Sequence, residues 1–348
     1  MTDLRTLTQR ALVENAKLDN QNFSQQSLAD SVFRSVSMCG VKFSGSNLRN
    51  CTFIDCDLVG ANFVGADAAS AHFESCSLAN ATLNQALLQN AQLSDCNLSG
   101  ADLSAGSLRK AFLSRVNCRG TDFSDADLDQ ADFYACRFGG NQFTRAKLIR
   151  TSLPESDLRT ASFDAALLDR TYFLGSKLDG VDFSGATLLQ TLFYECQMNQ
   201  TVFANNVLRQ IQFTRASLRN TRFERSQIHE TSFVGCDLGG ANFSGTQMEL
   251  IDLSGANLKS AALIDAKLDQ CVLVQANCAN SNWTGASLTY CNLSTADVGG
   301  SDWSSASLNH CNLHALEHEE NLVLRAKLNS SSGTDHVLLA AETWKWTH

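Results

Sequence analysis

Proline occurs once in this 348-residue chain, at Pro154, and charged residues make up only 18% of it. Neither a Pro-rich nor a highly charged disordered chain fits that composition. No apolar run approaches the roughly 20 residues that a membrane helix needs, which argues against membrane insertion. Cysteine is plentiful, with 13 residues, yet no Cys-x-x-Cys pair occurs and the opening MTDLRTLTQRALVEN lacks the apolar centre of a secretion signal. A reduced, cytoplasmic chain is therefore expected. The formal net charge of −9 is moderate for this length and argues against non-specific binding to nucleic acid or to an acidic membrane surface. Catalytic signatures are missing too: there is no GxxxxGK[ST], no GxGxxG opening a helix, no GxSxG and no HExxH. No cofactor is implied.

What the chain does have is a period of five. Every fifth residue from Leu18 to Leu313 is apolar, without a frame shift, through 60 consecutive units, and Leu or Phe fills 50 of these centres. A second row two residues earlier holds small side chains, among them Ala61, Ala101, Ala131, Thr151, Ser176 and Cys196. A period of five matches neither an amphipathic helix nor an alternating strand. It does match a chain that turns a corner every five residues and closes a square coil after 20, with centre and small residue facing inward. Phe supports this independently: it fills 18 of the 30 centres whose numbers end in 3, whereas those ending in 8 hold one Phe, Phe138, and 21 Leu. Two facing walls of the coil are thus aromatic and two are Leu.

The units Ala101-Asp102-Leu103, Ala126-Asp127-Leu128, Ala131-Asp132-Phe133, Ala241-Asn242-Phe243 and Ala256-Asn257-Leu258 match A(D/N)LXX, and residues 16–315 resemble the pentapeptide-repeat family. The resemblance implies an all-β fold, a right-handed quadrilateral parallel β-helix. Sixty units make 15 coils, a rod roughly 70 Å long at about 4.8 Å per coil. Residues 1–15 are read as an N-terminal cap, with Leu4, Leu7, Leu12 and Val13 at near-helical spacing. Residues 316–348 form a C-terminal cap or tail, in which Val323 and Leu328 stay in phase. Ser330 to Gly333 is a linker, and Thr334 caps a last helix with Val337, Ala341 and Trp344 on one side. Family members that protect topoisomerases can dimerise through such elements.

Ten of the 13 cysteines occupy the inward small position and two, Cys118 and Cys278, are centres, so core filling explains them better than disulfides or metal. Trp283 and Trp303, one coil apart on the same wall and opposite Leu273, Leu293 and Leu313, are read as core as well. His310, Cys311, His314 and His318 cluster in sequence, but the register divides them between inward and outward positions, which argues against a metal site.

Outward residues sort by wall, because each wall recurs every 20 residues. The walls containing Phe23 and Phe33 each sum to −4, that containing Leu28 to 0 and that containing Leu18 to +1. Some pentapeptide-repeat proteins present an acidic, DNA-like rod to gyrase. Duplex DNA carries one charge per ~1.7 Å, about 40 over such a rod, far above either acidic wall. The wall containing Phe33 is distinctive for another reason. Tyr172 and Leu174 bracket Phe173, Leu192 and Tyr194 bracket Phe193, and Phe112, Tyr134, Pro154 and Val234 lie on the same wall. Exposed apolar side chains of this kind mark interaction sites, and Tyr is enriched there. The expected role is a non-enzymatic scaffold or adaptor of bacterial type. It binds a protein partner, or a second copy of itself, through Phe112, Tyr134, Tyr172, Leu174, Leu192, Tyr194 and Val234. The alternatives are a DNA-mimicking inhibitor or protector of a topoisomerase, and an effector or accessory protein of a bacterial secretion system.

Overall fold

The computed structural model describes residues 9–323, 325–336, 338 and 339. Leu4, Leu7, Val337, Ala341 and Trp344, invoked above for the caps, lie outside them. The chain forms two compact units, Met1–Lys177 with Gly185–Thr187, and Leu178–Ser184 with Leu188–His348. Each is an all-β, four-sided parallel solenoid in which residue i pairs with residue i+20.

In the first unit seven three-residue strands form one parallel sheet in sequence order: β1 (Leu12–Glu14), β2 (Val32–Arg34), β3 (Thr52–Ile54), β4 (His72–Glu74), β5 (Gln92–Ser94), β6 (Phe112–Ser114) and β7 (Asp132–Tyr134). Their register aligns Phe33 with Phe53, Phe53 with Phe73 and Leu113 with Phe133. Pairing begins at Leu12, so Leu12 and Val13 belong to an extended strand rather than to a helical spacing. The strand β8 (Leu167–Asp169) follows, and β9 (Thr187–Leu189) pairs through Leu188 with Leu208.

The second unit carries its strands on a different wall, the one that continues the Leu28 row. These are β10 (Val207–Arg209), β11 (Gln227–His229), β12 (Gln247–Glu249), β13 (Lys267–Asp269), β14 (Ser287–Thr289), β15 (Ser307–Asn309) and β16 (Lys327–Asn329). Between the last two lies one short helix, α1 (Glu319–Val323). Leu328 pairs with Leu308 and so builds a further coil beyond Leu313, while Val323 falls in the helix. Asp335, not Thr334, accepts the Leu338 N–H at 3.1 Å, and the Thr334 hydroxyl donates to Glu319 instead.

The centres are buried and pack as columns. In the first unit Phe33, Phe53 and Phe73 stack at 5.0 and 4.8 Å, and Phe43 meets Phe53 edge-on across the core at 6.3 Å. In the second unit Phe183, Phe203, Phe223 and Phe243 stack at 5.2, 5.2 and 4.7 Å. Phe193, Phe213 and Phe233 form the facing column. Offset stacking and edge contacts are the arrangements that the ring quadrupole favours. Trp283 and Trp303 stack at 4.5 Å, fully buried, and each indole N–H donates to the serine two residues before it at 2.7 Å. Smaller centres, Cys278 and Val298, precede them in the chain.

Corners impose a cost. Forty-seven described non-glycine residues take positive φ, nearly all at positions ending in 0 or 5. The left-handed region disfavours L side chains by about 1–2 kcal/mol, least for Asn and Asp. The stack offsets this, because corner N–H groups donate to the next coil, as Asn20 does to Cys39 O at 2.8 Å.

On turn-bounded sides the N–H three residues past the centre donates back to the centre's carbonyl, as Ala61 does to Leu58 at 3.0 Å and Ala101 to Leu98 at 2.9 Å. Along β1–β7 and β10–β15 that bond is missing among the described residues. The residue at that inward position is then Val36, Cys56, Cys76, Cys96, Val116 or Cys136 in the first unit, and Ile211, Thr231, Ile251, Cys271, Cys291 or Cys311 in the second. Only the end strands have Ala16 and Ser331 there. Branched side chains favour the extended backbone. The polar ones also occupy the freed N–H. Ile211 N–H reaches Thr231 Oγ1 at 3.3 Å, Cys311 N–H reaches Ser331 Oγ at 3.1 Å, and Cys56 N–H meets the Cys76 sulfur.

Candidate interaction surface

The wall singled out in the sequence is, in the first unit, the strand wall. Phe112 opens β6 and Tyr134 closes β7, and parallel bridges carry the wall from Asp132 to Ser152 and on to Tyr172. Because side chains alternate across a strand, the two residues flanking each buried centre face outward. Phe112 is 40% exposed, Tyr134 56%, Tyr172 45% and Leu174 48%, with Pro154 half-buried between them. These five side chains occupy four consecutive coils at about 4.8 Å spacing, Tyr134, Pro154 and Leu174 as a continuous apolar strip and Phe112 and Tyr172 on the other flank of the centres with Asp132 and Ser152 between them.

Leu192, Tyr194 and Val234 belong to the second unit and are half-buried. Leu192 and Tyr194 bracket the buried Phe193. Val234 stands two coils away, with Gln212 in the bridge ladder between Leu192 and Ser232. Tyr194 Oη accepts from Arg215 Nη1 at 3.3 Å, and Arg215 also reaches Glu195 at 3.5 Å.

A second apolar feature was missed in the sequence. Leu250 and Tyr290 are 47% and 60% exposed and sit at left-handed corners, with φ of 56° and 52°. With Val272 and Gln270 they line a shallow open depression, and the Tyr290 ring lies on His310 at 5.0 Å. The signal was present: a bulky residue at a corner, where most coils place Asn, Asp, Gln or Gly.

The histidine cluster does not converge. His310 stacks on Tyr290, the buried His314 accepts the Asp335 N–H at 3.1 Å, and His318 pairs with Asp297 at 2.9 Å. Asp297, Glu317 and His318 bring donor atoms within 4.8 Å of one another at an exposed position. The cysteines are free, and all but Cys39 are buried. Burial pushes the Cys51, Cys236 and Cys278 thiols up to about 12, the opposite of an activated nucleophile.

Several surface charges pair across coils, as Arg115 does with Asp95 and Arg145 with Asp125, both at 2.6 Å. Asp129, 4% exposed at its side chain, is clamped by Arg109 at 2.8 Å and Arg150 at 2.9 Å. Hydrogen bonds from Arg115 and Arg145 hold Asp95 and Asp125 below the ordinary carboxylate value. No described helix is long and apolar enough to cross a membrane.

A family model described as "Pentapeptide repeat region" matches residues 8–83, 66–143, 86–163, 143–223 and 166–243, and one described as "Pentapeptide repeats (8 copies)" matches 231–270 and 266–302. The chain belongs to the pentapeptide-repeat family. No curated protein matches it. Among solved structures it is similar to a trypsin-treated form of QnrB1, a plasmid-mediated fluoroquinolone resistance protein. That likeness is at 20% identity, with 53% of this chain and 90% of that one covered and a TM-score of 0.38. It is also similar to HetL, a pentapeptide repeat protein involved in heterocyst differentiation regulation from the cyanobacterium Nostoc sp. strain PCC 7120, at 21% identity, 80% and 87% coverage and a TM-score of 0.16. A thylakoid-lumen pentapeptide repeat protein of Arabidopsis thaliana is similar at 20% identity, with 42% and 70% coverage and a TM-score of 0.14.

Proposed function

We propose that this protein is a non-enzymatic scaffold that binds a protein partner through the apolar strip of its first unit. The observation that carries the reading is the exposure of Phe112, Tyr134, Tyr172 and Leu174 within four coils of one wall, with the half-buried Pro154 in the coil between Tyr134 and Leu174. Solvated strand faces normally alternate polar-out, and exposed apolar side chains gathered on one wall find their stabilisation in a partner. Among the described residues the core is filled and the surface depressions are shallow and open, which favours binding over catalysis. Leu192, Tyr194 and Val234 of the second unit extend the set of contacts in this reading.

The test uses the full chain and a Tyr134→Ser/Tyr172→Ser/Leu174→Ser variant, in affinity capture from native cytosol and in sedimentation of each pure protein. Loss of a captured partner or of self-association, with the far-UV spectrum unchanged, supports the strip as the working surface. Retention of every partner by the folded variant sinks it.

A further inference from the structure

The wall that follows the apolar strip in every coil of the first unit is basic in its middle. Arg119, Arg137, Arg159 and Lys177 are all exposed there, against two carboxylates, Asp157 and the half-buried Asp179, whose Oδ1 accepts from the Asn199 backbone and side-chain N–H groups at 2.9 Å. The bridge ladder puts Arg137 beside Asn117 and Lys177 beside Asp157, so the four cations fall on successive coils, within about 15 Å at 4.8 Å per coil. Asp157 is taken by Arg159 in a two-pronged contact at 2.8 and 2.7 Å. Among the described residues, Arg119, Arg137 and Lys177 have no ion pair within the range seen for the other arginines; the carboxylates nearby besides Asp157 are Asp179, in the coil of Lys177, and Glu155, on the corner between the two walls.

The floor between the cations is bare. Gly139 takes φ 152°, a value that L side chains rarely adopt, and the turn is held from below: Gly139 N–H donates to Asn141 Oδ1 at 2.7 Å and Gly140 N–H to Thr160 Oγ1 at 2.8 Å. Gly120 N–H donates to Gly139 O at 2.7 Å, so Gly120, Gly139 and Gly140 make a side-chain-free patch beside the Arg119 stem. The corner separating this patch from the apolar strip is narrow at Ala135 and Gly175, and at Arg115 it is neutralised by Asp95 at 2.6 Å. Asp157 reports the local field: its carboxyl is held below the ordinary value by the Arg159 hydrogen bond foremost, with the Lys177 charge also contributing.

We infer that the apolar strip and this basic patch act together as one bipartite site for an acidic protein segment. The segment's carboxylates meet Arg119, Arg137 and Lys177 while its aromatic or aliphatic side chains lie on Tyr134, Tyr172 and Leu174. The inference rests on the strip being a docking surface and adds the chemistry of the partner. Carboxylate is favoured over phosphate because a carboxylate, Asp157, already engages an arginine of this patch in fork geometry. The overall charge of −9 argues against a polynucleotide. Complementary charge sets encounter rate and register, and the apolar contacts supply the holding energy.

The test measures binding of the full chain to a glutamate–tyrosine copolymer, to polyglutamate and to a short DNA duplex. Wild type is expected to bind the copolymer more tightly than polyglutamate, with affinity falling as salt rises. An Arg119→Gln/Arg137→Gln/Lys177→Gln variant should weaken both acidic polymers by roughly tenfold, since each exposed pair contributes little alone. A Tyr134→Ser/Tyr172→Ser variant should bring the copolymer down to the level of polyglutamate. Salt-independent binding, or an unchanged affinity in the Gln variant, overturns the basic half; if the Tyr variant still loses the copolymer, the apolar strip survives on its own. If the Tyr variant is unchanged while the Gln variant weakens, the bipartite site and the strip both fall. A DNA duplex that competes as well as the copolymer, with the same dependence on the three cations, overturns an acidic protein segment as the partner.

Discussion

The two sheets use one five-residue grammar on different walls, and the change is made inside the first unit, where β8 already stands on the Leu28 wall. In β1–β7 the strand side is the aromatic-rich wall of Phe33, Phe53, Phe73 and Phe133; in β10–β16 it is the wall of Leu208, Ile228, Met248, Leu268 and Leu288. The centre therefore does not choose the strand, and Leu93 and Leu113 inside the first sheet make the same point. What both sheets share is the residue three places later, which is Val, Cys, Ile or Thr in every interior coil and never Ala. The change of wall falls after β7, in the coil that holds Phe138, Gly139, Gly140 and Asn141, where no strand forms. Phe138, the lone aromatic in the Leu series, packs there against Phe133 at 5.4 Å and Phe143 at 6.3 Å.

If the core is indifferent to which wall is extended, Phe53→Ala and Phe203→Ala should cost the same, about 3–5 kcal/mol each in urea unfolding. Phe53 stacks on both column neighbours beneath a strand, and Phe203 does so beneath a turn. A gap of more than about 1 kcal/mol between them would show that strand and turn walls differ in rigidity.

Asn141 is where the comparison pivots. Its buried side-chain amide donates to Cys118 O at 2.5 Å and Thr121 O at 3.2 Å, and its oxygen accepts the partly buried Gly139 N–H at 2.7 Å. Asn141→Ala should cost about 2–3 kcal/mol by orphaning these groups, and should raise amide exchange around residues 118–121 and 139–141 first.

Cys76 tests the selection rule directly. Cys76→Ala removes the acceptor of the Cys56 N–H and a donor to Phe53 O at 3.3 Å, and should destabilise by about 1–2 kcal/mol. Cys76→Ser should be nearly neutral, because Ser331 already performs both contacts one wall over, accepting from Cys311 and donating to Leu308 O at 3.0 Å. Equal loss in both variants would mean that volume, not hydrogen bonding, matters at this position.

Acid should separate the units by the smallest margin. Asp19, Asp95, Asp125, Asp129 and Asp157 of the first unit have pKa values lowered from 3.8, as does Asp302 among the described residues of the second. At Asp129 burial opposes ionisation, but the Arg150 and Gln130 hydrogen bonds with the Arg charges prevail. A depressed folded pKa gives stability that is fully present above the unfolded value and is lost as pH falls through the folded one. Exchange protection should therefore decline between about pH 5 and pH 2, and earlier in the first unit. The effect is small because most of these pairs are exposed. Simultaneous loss in both units would remove the ion pairs as its cause.

Much of the molecule was legible before any coordinates. Each buried centre from Leu18 to Leu313 was readable as core, and so were the Trp283–Trp303 pair and the inward cysteines, because burial repeats strictly every five residues. The apolar strip was readable as well, since the residues flanking a buried centre must point out. Leu250 and Tyr290 escaped because corners were treated as turn chemistry alone. The basic patch escaped because summing charge over a whole wall cancelled its cations against carboxylates in other coils, such as Asp19, Asp57, Asp237 and Asp297, as well as against Asp157 and Asp179.

The amino-acid sequence by itself determined the period, the inward rows and hence the solenoid, since any other register would bury polar side chains or expose a row of Phe and Leu. The tertiary structure decided which wall becomes a sheet, how the cysteines are used, and which outward residues act on one another. These outcomes turn on where an N–H or a charge finds its partner 20 residues along the chain, a separation that local sequence pattern does not report.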